Sequence, residues 1–415
     1  MFSISDFIQF DEKDPEILGE YCYYDVGFCP GLIHRILEKN GIMKTEDPEK
    51  ACVFVGSSTD NSIYSTLLSW QMTTRFMNTF SICSKGTYHR SMFLFSQRTG
   101  KWPCFYPKSY ILPFQKDEFL NNYENGVTWI AKPINGSCGR GIFLFNSLGD
   151  VCLDEKIVVQ QYITNPILYH GLKFDIRFYV ALTSVDPLCI YIYDNGLVRL
   201  ASENYPENFS NLSNLSAHLT NFSVNKVNDH YVSTNEMSLD GTGNKWTHKS
   251  LWKYLDSIGF DKRTILNRVE NAIITVFIAA RESLISQKKH RQSKELYGFD
   301  ILLDSCGSVY ILEVNVSPSM GTSSKLDREV KTPLVKDFFN MLLIPKRKET
   351  YQNNGATFPE INLESVASIL YSLISLQDMV SGSFRRIFPQ KDNIEVFCNK
   401  FEKPTELEKI VWTLI

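Results

Sequence analysis

The last third of the chain contains two apolar runs that predict a β-hairpin. Residues 295–316 are rich in apolar, β-branched and aromatic side chains on both sides of 304–307, Asp-Ser-Cys-Gly, a pattern typical of a hairpin turn. Three oxygen-bearing side chains interrupt the runs: Asp300, Glu313 and Asn315. Glu313 and Asn315 share a face because residues two apart on a strand project to the same side. A turn of two or four residues would put Asp300 on that face as well, whereas a turn of three would put it on the other face.

Two carboxylates and an amide oxygen on one face form a donor set that suits a hard cation. Mg²⁺ usually keeps several waters and shares phosphate oxygens with a few such protein ligands. We therefore predict a magnesium site on this hairpin. The alternative is that the three side chains face solvent from an ordinary amphipathic hairpin.

A glycine-rich segment earlier in the chain predicts a phosphate-binding turn. Residues 127–131 and 142–145 are apolar strand-like runs, and between them lies Lys132-Pro-Ile-Asn-Gly-Ser-Cys-Gly-Arg140-Gly. The backbone N–H groups of such a turn can wrap phosphate oxygens, and Lys132 and Arg140 would add positive charge. The segment is neither a Walker A loop nor a Rossmann fingerprint, because no helical pattern follows it. The alternative is a plain glycine-rich hairpin.

Two further strands carry polar side chains in apolar surroundings. Residues 157–163 predict a buried strand that either offers backbone groups to an adenine edge at its polar end or simply ends there. In residues 171–180, Lys173, Asp175 and Arg177 alternate with apolar residues and share one strand face. A solvated face would show the same alternation, but the surrounding residues are so apolar that we favour a lined cleft.

The remaining pattern predicts elements that frame these strands. Asp194-Asn-Gly196 predicts a tight hairpin turn, with Arg199 on the returning strand. Helical periodicity marks residues 263–287, 332–343 and 363–379, and the N-terminal segment suggests a helix at 31–39 and a buried strand at 51–56. The last seventy residues either form a regulatory or docking appendage or pack against the body.

Composition narrows the class of protein. The chain has 415 residues and a formal net charge of −3, so it offers no overall polycation for nucleic acid or an anionic membrane. Its ten cysteines show no metal-ligand spacing, which argues against a zinc ribbon or a disulfide framework and for a reducing compartment. We see no signal peptide, and the apolar run 272–280 is too short to span a bilayer.

The order of these features is what an ATP-grasp ligase requires: a phosphate turn, an adenine-type strand end, a charged strand and a metal hairpin. We expect an α+β, ATP-grasp architecture in which two subdomains sandwich ATP. The expected parts are an N-terminal α/β domain at 1–110, a central subdomain at 111–190, a C-terminal subdomain at 191–344 and a short helical appendage at 345–415. Phosphoryl transfer asks such a protein mainly for positioning and charge neutralisation.

Several strings in this order resemble the tubulin tyrosine ligase-like family, in its glutamylase branch. They are Trp129-Ile-Ala-Lys-Pro133, Gly139-Arg-Gly-Ile142, Gln161-Tyr-Ile163, Lys173-Phe-Asp-Ile-Arg177, Gly196-Leu-Val-Arg199, His218-Leu-Thr-Asn221, Tyr297-Gly-Phe-Asp300, Glu313-Val-Asn315 and Ser317-Pro-Ser319. The likeness runs from about residue 100 to 343 and is weaker before that.

The resemblance implies a role for each matching residue. ATP is expected to contact Lys132, Arg140, Gly141, Gln160, Gln161, Tyr162, Ile163, Lys173, Asp175, Thr220 and Asn221, with 160–163 at the adenine. Mg²⁺ is expected on Asp300, Glu313 and Asn315. The incoming amino acid is expected near Arg199, Phe222, Ser223, Lys245 and Lys331. Arg177, which would grip the acidic acceptor, and Glu313 are the expected catalytic residues. Family members usually have Tyr where Phe222 stands.

The resemblance also implies an activity. It is an ATP-dependent ligation of free L-glutamate to glutamate side chains of tubulin tails, through an acyl phosphate attacked by the amino acid's amine. Chain-elongating members carry Gln and His where Cys138 and Val316 stand, so a branch-initiating enzyme is expected. Autonomous members have a cationic docking extension that the balanced tail of this chain lacks. We expect a cytoplasmic, cytoskeleton-associated monomer with tubulin or microtubules as partner and no nucleic-acid or membrane partner.

Three alternatives remain open at the level of sequence. A tubulin tyrosine ligase would share the fold but would not need a cation such as Lys331 near the amino-acid side chain. A non-catalytic tubulin-binding protein could keep the fold, although no metal or phosphate position is lost here. The third is a generic ATP-grasp ligase for a peptide or a metabolite.

Overall fold

A small parallel sheet and a short helix form the N-terminal part of the chain. In this computed structural model the described residues are 3–11, 21–57, 67–68, 70–136, 139–209, 212–226, 228–232, 240–285, 293–346 and 362–415. The sheet has the order β2-β1-β3-β4, with every pair parallel. Its elements are β1 (Cys22–Asp25), α1 (Gly31–Lys39), β2 (Met43–Thr45), β3 (Ala51–Val55) and β4 (Met72–Thr73). The predicted helix at 31–39 and the buried strand at 51–56 are both present.

Two helices lead from this sheet to a second, antiparallel sheet. The helices are α2 (Phe80–Cys83) and α3 (Lys85–Thr99). The second sheet has the order β5-β8-β6-β7. Its strands are β5 (Ser109–Leu112), β6 (Trp129–Pro133), β7 (Phe143–Phe145) and β8 (Ile157–Gln161), and the helix α4 (Lys116–Asn121) connects β5 to β6. Strands β6 and β7 therefore flank the glycine-rich turn, as the sequence predicts; Ser137 and Cys138 of that turn lie outside the described residues.

The third sheet is the largest and carries most of the charged residues singled out above. Its main order is β12-β11-β10-β13-β14, with β9 paired to β10 and β15 paired to β11. The elements of this part are β9 (Leu168–Tyr169), β10 (Leu172–Val185), β11 (Leu188–Asn204), α5 (Leu215–His218), α6 (Phe222–Asn225), β12 (Lys245–Thr247), α7 (His248–Ser257), α8 (Lys262–Ile285), β13 (Glu295–Leu303), β14 (Val309–Val316) and α9 (Lys325–Met341).

Alternation along β10 separates a core face from a site face. Phe174, Ile176 and Phe178 point to a core that includes the buried face of α8. Lys173 and Asp175, which alternate with them along the strand, face the other way and are still 95% or more buried, at 5% and 3% exposure. The alternation therefore marks a lined cleft and not a solvated strand face.

The predicted hairpin turn at Asp194-Asn195-Gly196 is wrong. These residues lie inside the continuous strand β11, and the chain reverses between β10 and β11 at Asp186 and Pro187 instead. The ladder shifts by two residues between Phe178, which pairs with Gly196, and Val180, so residues 193–195 form a bulge. Glycine suits position 196 because a Cβ there would lie 2.2 Å from the Arg177 carbonyl oxygen, a close backbone approach typical of glycine in a strand. The expected boundary near residue 190 falls inside this strand.

The C-terminal residues pack on the body through helices and one strand. They form α10 (Leu363–Val380), β15 (Phe384–Phe388), α11 (Ile394–Cys398) and α12 (Glu406–Leu414). Strand β15 extends the large sheet beside β11, an addition to the helices that we expected. The buried Arg281 of α8 pairs with Glu408 of α12 at 2.7 Å. None of the helices in the described part of the chain combines the length and hydrophobicity needed to cross a bilayer.

Candidate active site

A cleft lies between the second sheet and the large sheet. Most of the residues expected to hold ATP or metal line it: Lys132, Arg140, Gln160, Gln161, Tyr162, Ile163, Lys173, Asp175, Thr220, Asn221, Asp300 and Glu313. Gly141 is not among the lining residues. It adopts a positive φ of 70°, and a Cβ there would meet Pro133 at 2.9 Å, so glycine serves the fold of the turn.

The two carboxylates of the metal hairpin lie directly opposite one another. Asp300 of β13 pairs in register with Glu313 of β14, and Gly298 pairs with Asn315. The loop between the strands has five residues, 304–308, which in a regular ladder would set Leu312 opposite Asp300. A shift between Asp300 and Ile301 leaves Leu312 unpaired and restores Glu313 to that place. The shared face is therefore present, but a bulge produces it.

Asp300 is a buried anion held by two arginines. Arg177 donates to both carboxylate oxygens, with its Nη2 2.9 Å from Oδ2, and Arg199 Nη2 lies 2.8 Å from Oδ2. Burial alone would raise the pKa of Asp300, but these two guanidinium groups hold it well below its usual value. Asp300 is therefore ionised at every physiological pH.

Glu313 is the complementary case. Burial, and then the neighbouring Asp300 charge, raise its pKa. A divalent cation between the two carboxylates would offset this repulsion. The third donor, Asn315, places its Nδ2 3.1 Å from Asp300 Oδ2 and 3.1 Å from Glu313 Oε1. Rotation of the amide about its last bond would exchange that nitrogen for Oδ1, which can ligate a metal.

The donor set therefore fits Mg²⁺, with two adjacent carboxylates, one amide and room for phosphate oxygens. Within the described residues there is no cluster of three or more His, Cys, Asp and Glu side chains that could hold a metal. The one site with this chemistry is completed by an amide and not by a third acidic or imidazole group.

Lysines from both sheets line the cleft near these carboxylates, the half-buried Lys132 from β6 and the buried Lys173 from β10. Lys132 donates to Gln160 Oε1 at 2.8 Å, and burial lowers its pKa to about 8. Lys173 donates to the Tyr162 hydroxyl at 2.8 Å, and burial lowers its pKa to about 7. A buried ammonium is costly without an anionic partner, so both groups are suited to a phosphate chain.

Two residues that the sequence reasoning did not assign also line the cleft. Lys85, at the start of α3, donates to the carbonyl oxygen of Gly136 in the glycine-rich turn. Lys85 lies within the expected N-terminal domain at 1–110, and no local motif marks it. The His218 Nδ1 lies 3.0 Å from the Tyr162 hydroxyl and shares a hydrogen bond with it, while its buried Nε2 has no hydrogen-bond partner among the described residues. It lies within the quoted His-Leu-Thr-Asn string, which was the available signal.

The residues expected at the incoming amino acid lie beside the cleft on four elements: Arg199 on β11, Lys245 on β12, Phe222 and Ser223 on α6, and Lys331 on α9. Arg199 pairs in register with Asp175 on one side and with Lys245 on the other. It donates to Asp175 at 2.7 Å and 2.6 Å. Lys245 and Lys331 both contact Asp327, at 3.0 Å and 2.9 Å. The Phe222 ring lies 5.0 Å from Lys245 Nζ, whereas Ser223 is exposed on α6.

Comparisons with known proteins show which family the chain resembles. The profile described as the Tubulin-tyrosine ligase family matches residues 63–351. A human protein named tubulin polyglutamylase TTLL5 is 35% identical over 321 residues, which cover 75% of this chain and 25% of that protein. A Tetrahymena thermophila protein named probable beta-tubulin polyglutamylase is 31% identical over 367 residues, covering 81% of this chain and 31% of that protein.

A further human relative, named tubulin monoglutamylase TTLL4, is 35% identical over 280 residues, covering 65% of this chain and 23% of that protein. The chain therefore spans between about a quarter and a third of the length of these relatives.

Proposed function

This chain belongs to the tubulin-tyrosine ligase family, and from that premise we propose that it is an ATP-dependent ligase that joins free L-glutamate to glutamate side chains of tubulin tails. The single observation that carries the proposal is that one cleft contains two adjacent carboxylates, Asp300 and Glu313, together with the lysines Lys132 and Lys173. This is the charge pattern that an ATP–magnesium complex needs, and the sandwich of two sheets around it fits an ATP-grasp subdomain pair.

In this proposal separate sets of cleft residues bind the phosphates, the adenine and the metal. Lys132, Lys173, Arg140 and the backbone of the glycine-rich turn hold the phosphates, and the end of β8 at Gln161–Ile163 holds the adenine. Asp300, Glu313 and Asn315 hold Mg²⁺, which when bound neutralises charge on the phosphate oxygens. No protein nucleophile is required, because positioning and charge neutralisation supply most of the catalysis.

The proposed reaction has two steps. The acceptor carboxylate attacks the γ-phosphorus of ATP, which releases ADP and leaves an acyl phosphate. The deprotonated amine of the incoming amino acid then attacks the acyl carbon, which forms the amide bond and expels inorganic phosphate. Arg177 and Arg199 are buried beside Asp300, where their charge stabilises the carboxylate and phosphate oxygens that crowd together in both steps.

Two lysines beside the cleft support glutamate as the added residue. Lys245 and Lys331 supply two positive charges, and glutamate brings one carboxylate more than tyrosine or glycine. The relatives named as glutamylases support the same substrate. We also propose that this chain initiates branches, because Val316 stands where elongating members carry His; the second position, Cys138, lies outside the described residues.

A substitution in the metal hairpin tests the proposal. Purified protein is incubated with tubulin, ATP, Mg²⁺ and radiolabelled glutamate, tyrosine or glycine, and the tubulin tails are examined by mass spectrometry. We expect label from glutamate, single additions to internal glutamates, and loss of at least about a thousandfold in turnover for Glu313→Gln. The matched control, Glu329→Gln, changes an exposed residue of α9 and leaves turnover intact.

Each rival predicts a different result in the same assay. Incorporation of tyrosine alone supports the tyrosine ligase, and long glutamate chains without new branch points refute initiation. A non-catalytic tubulin-binding protein incorporates nothing and is indifferent to Glu313→Gln. If the protein hydrolyses ATP and Glu313→Gln lowers that hydrolysis, but no amino acid is incorporated into tubulin, the result indicates a ligase for another acceptor.

A further inference from the structure

Asp327 is a buried aspartate that contacts both Lys245 and Lys331. These three residues form a polar cluster beside the cleft. Asp327 lies in the first turn of α9 and has no exposed surface. Its Oδ2 accepts from Lys245 Nζ at 3.0 Å and its Oδ1 lies 2.9 Å from Lys331 Nζ. Lys331 lies in the next turn of the same helix, whereas Lys245 lies on the strand β12. One carboxylate therefore links two different elements through two cations.

The surrounding contacts fix the direction of that carboxylate. Ser324, the N-cap of α9, donates to Asp327 Oδ2 at 3.0 Å and accepts from the Asp327 backbone N–H. Ser323 donates to the same oxygen at 3.1 Å. Lys331 is turned further by a hydrogen bond from Nζ to the Gly321 carbonyl at 2.6 Å. The cluster is thus a built arrangement and not a chance meeting of flexible side chains.

The charges of the cluster do not cancel. Two ammonium groups share one carboxylate, so the cluster carries one surplus positive charge. It lies next to the reacting groups, because Lys245 pairs in register with Arg199, whose guanidinium reaches Asp300. An anionic side chain on a substrate bound at the cleft edge is the group that this surplus charge complements.

We propose that Asp327 is a positioning residue that holds Lys245 and Lys331 together as a paired cation for the side-chain carboxylate of the incoming amino acid. The inference rests on the proposed glutamate ligase activity and adds to it the residue that prepares the site. Asp327 contacts neither reacting atom; it acts through the two lysines.

The electrostatics of the cluster explain why such a residue is needed. Burial lowers the pKa of Lys331, and Lys245 and Arg177 lower it further, whereas Asp327 raises it. Burial would raise the pKa of Asp327 itself, but Lys331 and Lys245 hold it at about 2. Among the described residues, the hydroxyls of Tyr179 and Tyr231 also interact with the Asp327 charge. Without Asp327, Lys331 loses its proton at a lower pH.

The test is the pH dependence of the KM for glutamate in the full chain. Wild-type protein, Asp327→Asn and the matched control Asp337→Asn are assayed with tubulin and ATP between pH 6.5 and 9. Asp337 is a buried aspartate of the same helix that accepts the Ser383 backbone N–H at 2.9 Å. For Asp327→Asn we expect a KM for glutamate raised about tenfold or more at pH 8.5 and recovering toward pH 6.5, since one pKa unit corresponds to a factor of ten. The KM for ATP stays within about twofold.

A double substitution separates this role from simple destabilisation. Because Asp327 acts through both lysines, Asp327→Asn added to Lys331→Met raises the KM for glutamate by less than the product of the two single effects. A KM for glutamate that is independent of pH in Asp327→Asn, or an additive effect in the double variant, overturns the proposal. Failure of the wild-type protein to incorporate glutamate refutes the proposed function instead, so the two failures are distinguishable.

Discussion

Binding of ATP should take up protons from solution, because Lys132 and Lys173 are partly neutral before the nucleotide binds. Burial lowers the pKa of Lys173 to about 7 and that of Lys132 to about 8. At pH 8 about nine-tenths of Lys173 and about half of Lys132 are then uncharged. A polyphosphate favours the charged form of both side chains and raises both pKa values. Binding of Mg²⁺–ATP at pH 8 should therefore take up about 1.4 protons.

The sign of the pH dependence follows from the same linkage. As the pH rises through 7 and then 8, each lysine must be protonated at a growing cost before the phosphates can bind. The dissociation constant for ATP should therefore increase with pH, by close to a hundredfold per pH unit once both lysines are neutral. Below about pH 6 both lysines are already charged, so binding should take up almost no protons through these groups.

Isothermal titration calorimetry in two buffers of different ionisation enthalpy measures this uptake directly. Lys173→Arg keeps the positive charge and removes the titration, since a guanidinium stays protonated, so uptake at pH 8 should fall to about half a proton. The matched control is Lys116→Arg, which changes an exposed lysine paired with Asp154 and should leave uptake unchanged. Uptake near zero in the wild-type protein at pH 8, or equal uptake in Lys173→Arg, would refute the reasoning.

Three further predictions concern the metal hairpin, the arginine pair and a close backbone approach. Glu313→Gln should not lower the thermal midpoint, because burial disfavours the charged carboxylate, but it should abolish stabilisation by added Mg²⁺ in thermal shift assays. Arg199→Met should cost about 3 kcal/mol of stability in urea titration, because it leaves buried Asp175 and Asp300 less compensated; the double variant with Asp175→Asn should recover part of the loss, and an additive loss would contradict the pairing. Gly196→Ala should cost about 3 kcal/mol or prevent folding, since a Cβ there would lie 2.2 Å from the Arg177 carbonyl oxygen; a stable, soluble variant by circular dichroism would contradict it.

Residue type and spacing identified the chemistry of the cleft from the sequence. Lys173, Asp175 and Arg177 alternate in an apolar strand, and the structure buries all three on one face. The glycine-rich turn between two short strands is also where the pattern put it. These features are local, because strand alternation and glycine content are properties of neighbouring residues.

Local patterns failed where a partner distant in sequence decides the conformation. The Asp-Asn-Gly segment of β11 has the composition of a turn, but Asp194 donates its N–H to Ser383 and Gly196 packs on the Arg177 carbonyl. Those contacts keep the segment within a long strand. Lys85 and Asp327 were missed for the same reason: nothing near them in the sequence indicates that they meet Gly136 or the two lysines.

The hairpin that carries Asp300, Glu313 and Asn315 shows both sides of this division. Its sequence determined that two carboxylates and an amide occupy neighbouring strands, because apolar runs and a polar turn require little else. Whether the two carboxylates share a face depends on loop length and register together, and the five-residue loop alone would have separated them. The bulge at Leu312 brings them into one row, and a bulge reflects the packing of both strands against the rest of the sheet. Only the tertiary structure supplies that packing.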